Sequence, residues 1–160
     1  MPIGYAIVET ENSKVVGEFL WNLQKLATVD DPITNTKHSA MEYVKVVSSD
    51  FSKVYNKAWR ERIGTVVKFI KCSWHFEKNI KLKVKSKNPK CYAAIRSLQL
   101  LSDERDFWGL MQAFINEYGK TEEGRYFIDQ YGFDGLTSKP QEWSRAFNRN
   151  LCCHNLYPER

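Results

Sequence analysis

The spacing of apolar residues changes character partway along the chain. Ile3, Tyr5, Ala6, Ile7 and Val8 form a short β-prone run and predict a strand. Asn12 or Ser13 then offers a helix cap. Val15, Val16, Phe19, Leu20, Leu23, Leu26 and Ala27 recur at helical spacing and predict an amphipathic helix over 13–27. Asp30, Asp31 and Pro32 end it and open a polar loop. Residues 43–47 (YVKVV) predict a second strand, stopping at Ser48-Ser49-Asp50. A helix over about 51–61 carries Phe51, Val54, Tyr55, Ala58 and Trp59 on one face, and Gly64 breaks it. Residues 65–70 (TVVKFI) predict a third strand. Strands alternating with helices are the pattern of an α/β unit with a partly parallel sheet.

After Cys72 the strands stop and helices take over. Residues 73–86 read as a basic helix broken by Asn88-Pro89, and 90–101 as the next. Phe107, Leu110, Met111, Phe114, Ile115 and Tyr118 line one face of a helix over 103–118. Thr121 caps another at about 122–132, and Pro140 starts a last one. There is no internal repeat and no low-complexity linker. The expected fold class is α/β: one domain over 1–160, with an α/β part over 1–72, a helical insertion over 73–150 and a short final segment over 151–160.

Composition narrows the function classes. The 160 residues are 42% apolar and 14% aromatic, which suits a globular chain and excludes intrinsic disorder. The net charge is only +5, but ten bases face two acids between residues 60 and 90. Such a stripe is either the footprint of a nucleic-acid partner or a solvated helix face. The four cysteines show no disulfide-framework spacing, no signal peptide precedes them, and no apolar run approaches the ~20 residues that span a bilayer. The expected location is therefore nuclear or otherwise intracellular, with no membrane partner.

Three features could carry chemistry. Asp50 follows a predicted strand and precedes a predicted helix, an edge where open α/β sheets hold ligands and where a carboxylate can bind a hard divalent cation. Asp is equally a preferred helix cap, and the two roles are compatible. Cys72 and His75 form a C-x-x-H pair that Cys152, Cys153 and His154 could complete as a zinc site, or they pack as ordinary core residues. Glu159 is a further carboxylate for metal, or part of a solvated terminus.

The order of these features resembles a known family. Ser48-Ser49-Asp50-Phe51-Ser52-Lys53-Val54-Tyr55-Asn56-Lys57-Ala58-Trp59 resembles the surroundings of the second catalytic aspartate in Mutator-like (MULE) DDE transposases. Cys72-Ser73-Trp74-His75, twenty-two residues after Asp50, looks like that family's C-x-W-H signature. Residues 2–12 look like the strand after the first aspartate. Lys139-Pro140-Gln141-Glu142-Trp143 resembles a later Trp-containing helix. Asn155-Leu156-Tyr157-Pro158-Glu159 resembles the segment carrying the third acid.

The resemblance implies an RNase H-like fold interrupted by helices. It implies Asp50 and Glu159 as catalytic, metal-holding residues, Mg²⁺ or Mn²⁺ as cofactor, and strand cleavage and transfer during DNA transposition. Two ions held ~3.5–4 Å apart activate the attacking oxygen and stabilise the leaving one. The partner implied is DNA, at transposon ends or target. The lysines proposed to contact its backbone are Lys71, Lys78, Lys81, Lys83, Lys85 and Lys87; Lys81, Lys83, Lys85 and Lys87, two apart, spread around a helix and suit phosphate contact rather than base reading. Departures accompany the match: no Asp precedes Asp30, His154 stands where Thr is usual, and Pro158 where an apolar residue is usual. The expectation is a partial core that does not cut DNA alone. The alternatives are a non-catalytic DNA- or protein-binding module and a small zinc-binding regulatory domain.

Overall fold

The computed structural model describes residues 12–49, 53–64 and 67–148. The fold is mixed α/β and mainly helical: 64% of the described residues are helical, and they include two small sheets. It divides into two compact units, residues 1–69 and 70–160. The strand predicted over residues 3–8 lies outside the described residues.

In the first unit, α1 (Ser13–Leu26) starts at Asn12, whose side-chain oxygen accepts the N–H groups of Lys14 and Val15, both at 3.1 Å. This satisfies donors that a helix start otherwise leaves bare. α1 packs along α2 (Lys53–Arg62). The helices approach closely at Gly17, where a Cβ would lie 2.8 Å from Arg62 Cγ. α2 ends at Gly64, whose φ of 71° is cheap only for glycine. There the Ile63 and Gly64 N–H groups both turn back to the Trp59 carbonyl.

The polar loop expected after α1 is a hairpin. β1 (Thr28–Asp30) pairs antiparallel with β2 (Lys37–Ser39), with Val29 opposite His38. The turn residues make it: the Asp31 carboxylate accepts the Ile33 and Thr34 N–H groups at 2.8 and 3.3 Å, and Asn35 takes a left-handed φ of 53°. Three-residue strands, β1 exposed throughout and β2 half-buried at His38 and Ser39, are too short to show an alternation in the sequence. The strand expected over 43–47 is also shifted. Ser39 accepts the Met41 N–H and donates its hydroxyl to the Gln24 carbonyl, winding Ala40–Tyr43 into a 3₁₀ turn. β3 is therefore Val46–Ser49. It pairs with β4 (Lys68–Lys71), which the Lys68 N–H begins by donating to Lys45 O at 2.9 Å.

In the second unit every described element from Ser73 onward is helical. α3 (Ser73–Ile80) opens into a wide π turn over Lys81–Lys85. Phe76, Ile80 and Val84, spaced by four, are all fully buried. A four-residue spacing drifts around an α-helix, and a wider turn advances less per residue, which brings Val84 back into line with Phe76 and Ile80. α4 (Pro89–Leu100), α5 (Glu104–Tyr118) and α6 (Glu122–Tyr131) follow, capped by Asn88, Asp103 and Thr121.

The helix expected from Pro140 onward runs only one turn, α7 (Pro140–Trp143), before a 3₁₀ turn at Arg145–Phe147. Ser144 makes the break. Its buried hydroxyl donates to the Leu98 carbonyl at 3.0 Å while the backbone is extended there. Trp143 is held at the centre of the unit. Its ring stacks on Phe76 (4.8 Å, 10°), with Phe107 and Phe127 edge-on at 5.7 and 5.6 Å. Its indole N–H donates to Tyr131 O at 2.9 Å. Burying each such side chain contributes roughly 1.5–3 kcal/mol, and the aromatic geometry adds to that.

Candidate nucleic-acid interface

The sequence-predicted residues separate into two groups. Asp50, Glu159, Cys152, Cys153 and His154 lie outside the described residues. β3 ends at Ser49 and α2 begins at Lys53, so the strand and helix expected on either side of Asp50 are both present. Among the described residues no three His, Cys, Asp or Glu side chains form a group that could hold a metal ion.

The Cys72-Ser73-Trp74-His75 motif is described in full. β4 ends at Lys71 and α3 begins at Ser73, so the motif is where the last described strand gives way to helix. Cys72 is a half-buried free thiol at the cap position and makes no side-chain cap bond. His75 is half-buried, and its Nδ1 is buried without a hydrogen-bond partner. Its ring meets Trp74 edge-on at 4.8 Å. Trp74 points outward and is 59% exposed.

Lys78 lies one turn on, with its ammonium 4.9 Å from the Trp74 ring centroid. Trp74, Glu77, Lys78 and Lys81 line a shallow hollow on the outside of α3. Positions i, i+4 and i+7 put an indole and two lysines on one stripe. Glu77 would cancel part of this charge, but it is engaged from the other side. Arg96 approaches it at 3.4 Å and the Tyr92 hydroxyl at 3.3 Å, and Arg96 also donates to Gln99. The stripe therefore keeps a positive surplus.

The remaining predicted lysines take different places. Lys81, Lys83 and Lys85 are exposed on the π turn, Lys85 lying 5.4 Å from the Tyr92 ring centroid. Lys87 donates to Glu122 at 2.9 Å, and that hydrogen bond pushes the Lys87 pKa up and the Glu122 pKa down. Lys71 does not belong to this surface: it is only 4% exposed, in β4 rather than on a helix. Sequence alone marks the lysines by their charge but not Trp74 as a surface group. Its spacing to Lys78 and Lys81 was the available signal.

An exposed indole flanked by ammonium groups can stack on a base or other flat ring while the lysines meet phosphate. Among the described residues no helix is long and apolar enough to cross a membrane. The chain matches no protein-family model, no curated protein and no solved structure.

Proposed function

We propose that this chain is part of the catalytic core of a Mutator-like DDE transposase and that it contacts DNA through the outer face of α3. The observation that carries this reading is the C-x-W-H motif itself: it lies at a strand-to-helix junction and presents Trp74 beside Lys78 and Lys81. Nuclear location and the finer RNase H-like assignment of the sheet follow from the same reading. Asp50 and Glu159 are its metal-holding carboxylates, and bound Mg²⁺ or Mn²⁺ would supply charge stabilisation at the attacking and leaving oxygens. With two of the three carboxylates of that set in these 160 residues, the polypeptide binds DNA without cutting it.

Fluorescence anisotropy with labelled duplexes tests the binding. Affinity is expected to be nearly independent of sequence and to fall linearly on a log–log plot against salt, each lost lysine contact reducing the slope by roughly 0.9. Lys78→Glu with Lys81→Glu weakens binding to every sequence alike. Trp74→Ala lowers affinity for single strands by about 1–3 kcal/mol, the worth of one stacked base. Binding that is indifferent to salt and to these substitutions sinks the proposal. Mg²⁺-dependent nicking that disappears in Asp50→Ala would instead show a complete catalytic set. The half-buried His75 with its unpartnered Nδ1 favours zinc as a second reading; stoichiometric zinc in the purified chain, lost in His75→Ala, would select it.

A further inference from the structure

The helical unit carries a second surface, lined by residues other than those of the α3 stripe. α5, the end of α6 and the loop after it form an open groove of about 620 Å³. Its walls are apolar, with Trp108, Ile115, Phe133 and Leu136 prominent among them. Phe133 is 65% exposed although its ring lies only 5.8 Å from that of Trp108. Among the described residues, the charged ones lining the groove are Asp129 and Asp134, and no base lines it. An acidic, apolar groove in a chain of net charge +5 selects an occupant with an apolar anchor flanked by cations.

The same unit displays such an anchor. Leu82, on the π turn, is 69% exposed, with Lys81, Lys83 and Lys85 exposed around it. The turn and the groove lie toward opposite ends of α6. Lys87, two residues past the turn, pairs with Glu122 in the first turn of α6, whereas Ile128 and Asp129 in its last turn line the groove. Those positions are separated by roughly 10 Å along the helix axis.

We propose that the groove receives the Leu82 turn of a second copy of this chain. Leu82 enters between Phe133 and Leu136, and the flanking lysines face Asp129 and Asp134. The proposed contact joins two different patches head-to-tail, and in an arrangement that does not close on itself each added copy leaves one turn and one groove open. Association therefore grows with concentration, and it weakens as salt screens the lysine–aspartate attraction. The inference does not depend on the transposase reading.

Sedimentation velocity on the full chain tests it, from about 1 μM to about 1 mM to cover weak affinities. The wild-type mass is expected to rise with concentration and to return to that of one chain in high salt. Leu82→Asp removes the anchor and Phe133→Lys repels the incoming lysines. Both side chains are exposed, and circular dichroism checks that the two variants keep wild-type helicity. Each variant alone is expected to remain a single chain throughout. An equimolar mixture is expected to form a one-to-one complex that grows no further, because only the Leu82→Asp groove and the Phe133→Lys turn remain to meet. A wild-type chain that stays monomeric over this range overturns the proposal. So do variants that associate as the wild type does, or a mixture that does not pair.

Discussion

α1 and α5 look alike in the sequence. One has 14 residues and the other 15, and each begins at a capping side chain, Asn12 or Asp103. Both carry apolar residues at helical spacing. In the structure α5 buries Phe107, Met111 and Phe114, whereas α1 buries only Val16 and Gly17. Local periodicity is the same, and among the described elements the number of opposing surfaces differs. α5 packs against α4, α6 and the 3₁₀ turn at Arg145–Phe147, whose Phe147 ring lies against Phe107 and Trp108. α1 packs chiefly on α2, with smaller contacts to β2, and leaves Trp21 and Leu26 exposed. A stripe makes a helix amphipathic, but burial needs surfaces on more than one side of it.

The largest test of this contrast compares two tryptophans, Trp143 in the helical unit and Trp59 in α2, both buried. Trp143→Ala removes a ring in contact with Phe76, Phe107 and Phe127, together with a buried hydrogen bond to Tyr131. The expected loss is about 3–5 kcal/mol of protection across α3 to α6, read by hydrogen exchange with mass spectrometry. Trp59→Ala is expected to cost α1 and α2 less, because among the described elements this helix pair has few other neighbours and can close over the gap. Equal losses at the two positions would mean that the N-terminal unit is as tightly determined as the helical one.

A smaller effect comes from pH. Burial pushes the Cys91 thiol up from its ordinary 9.0 to about 11, with the charges of Glu123 and Glu117 adding to it. The Tyr131 hydroxyl is likewise raised, chiefly by burial. The folded helical unit then holds these protons more tightly than the unfolded chain. Its stability is full below pH 9 and declines as pH rises toward 11. Thermal melts followed by circular dichroism should show that decline, and Cys91→Ala should flatten part of it. A slope unchanged by the substitution would mean that Cys91 is not desolvated.

The smallest effect is expected at the Lys87–Glu122 pair, which joins the start of α4 to α6 with both groups exposed. Glu122→Gln should change stability only marginally and not at all in high salt, because water screens such pairs and ordering two long side chains offsets the attraction. A salt-resistant loss would place this contact among the determinants of the helical core.

Much of the helical unit was legible beforehand because its signals are local. Asp103 and Thr121 are capping side chains read within one turn, and the stripe from Phe107 to Tyr118 repeats three times. The helix after Pro140 was misjudged because its end depends on Ser144 finding the Leu98 carbonyl, 46 residues away in sequence. The hairpin of β1 and β2 is not legible beforehand because its strands are only three residues long, although Asp31 and Asn35 mark its turn. In the candidate interface, the lysines were visible as charge. Which of them face outward was not: Lys71 and Lys78 are the same residue type, and one is buried in a strand while the other lies over an exposed indole.

The sequence by itself determined where helices start, which face of each is apolar, and where cationic charge collects, since each depends on neighbours within a few positions. Tertiary structure alone decided that Trp143 sits among Phe76, Phe107 and Phe127 and that α3 widens into a π turn. It also left Leu82 bare while Val84, two residues on, is enclosed. These outcomes depend on which surfaces meet across long separations, and close packing leaves room for one arrangement among the many that local pattern allows.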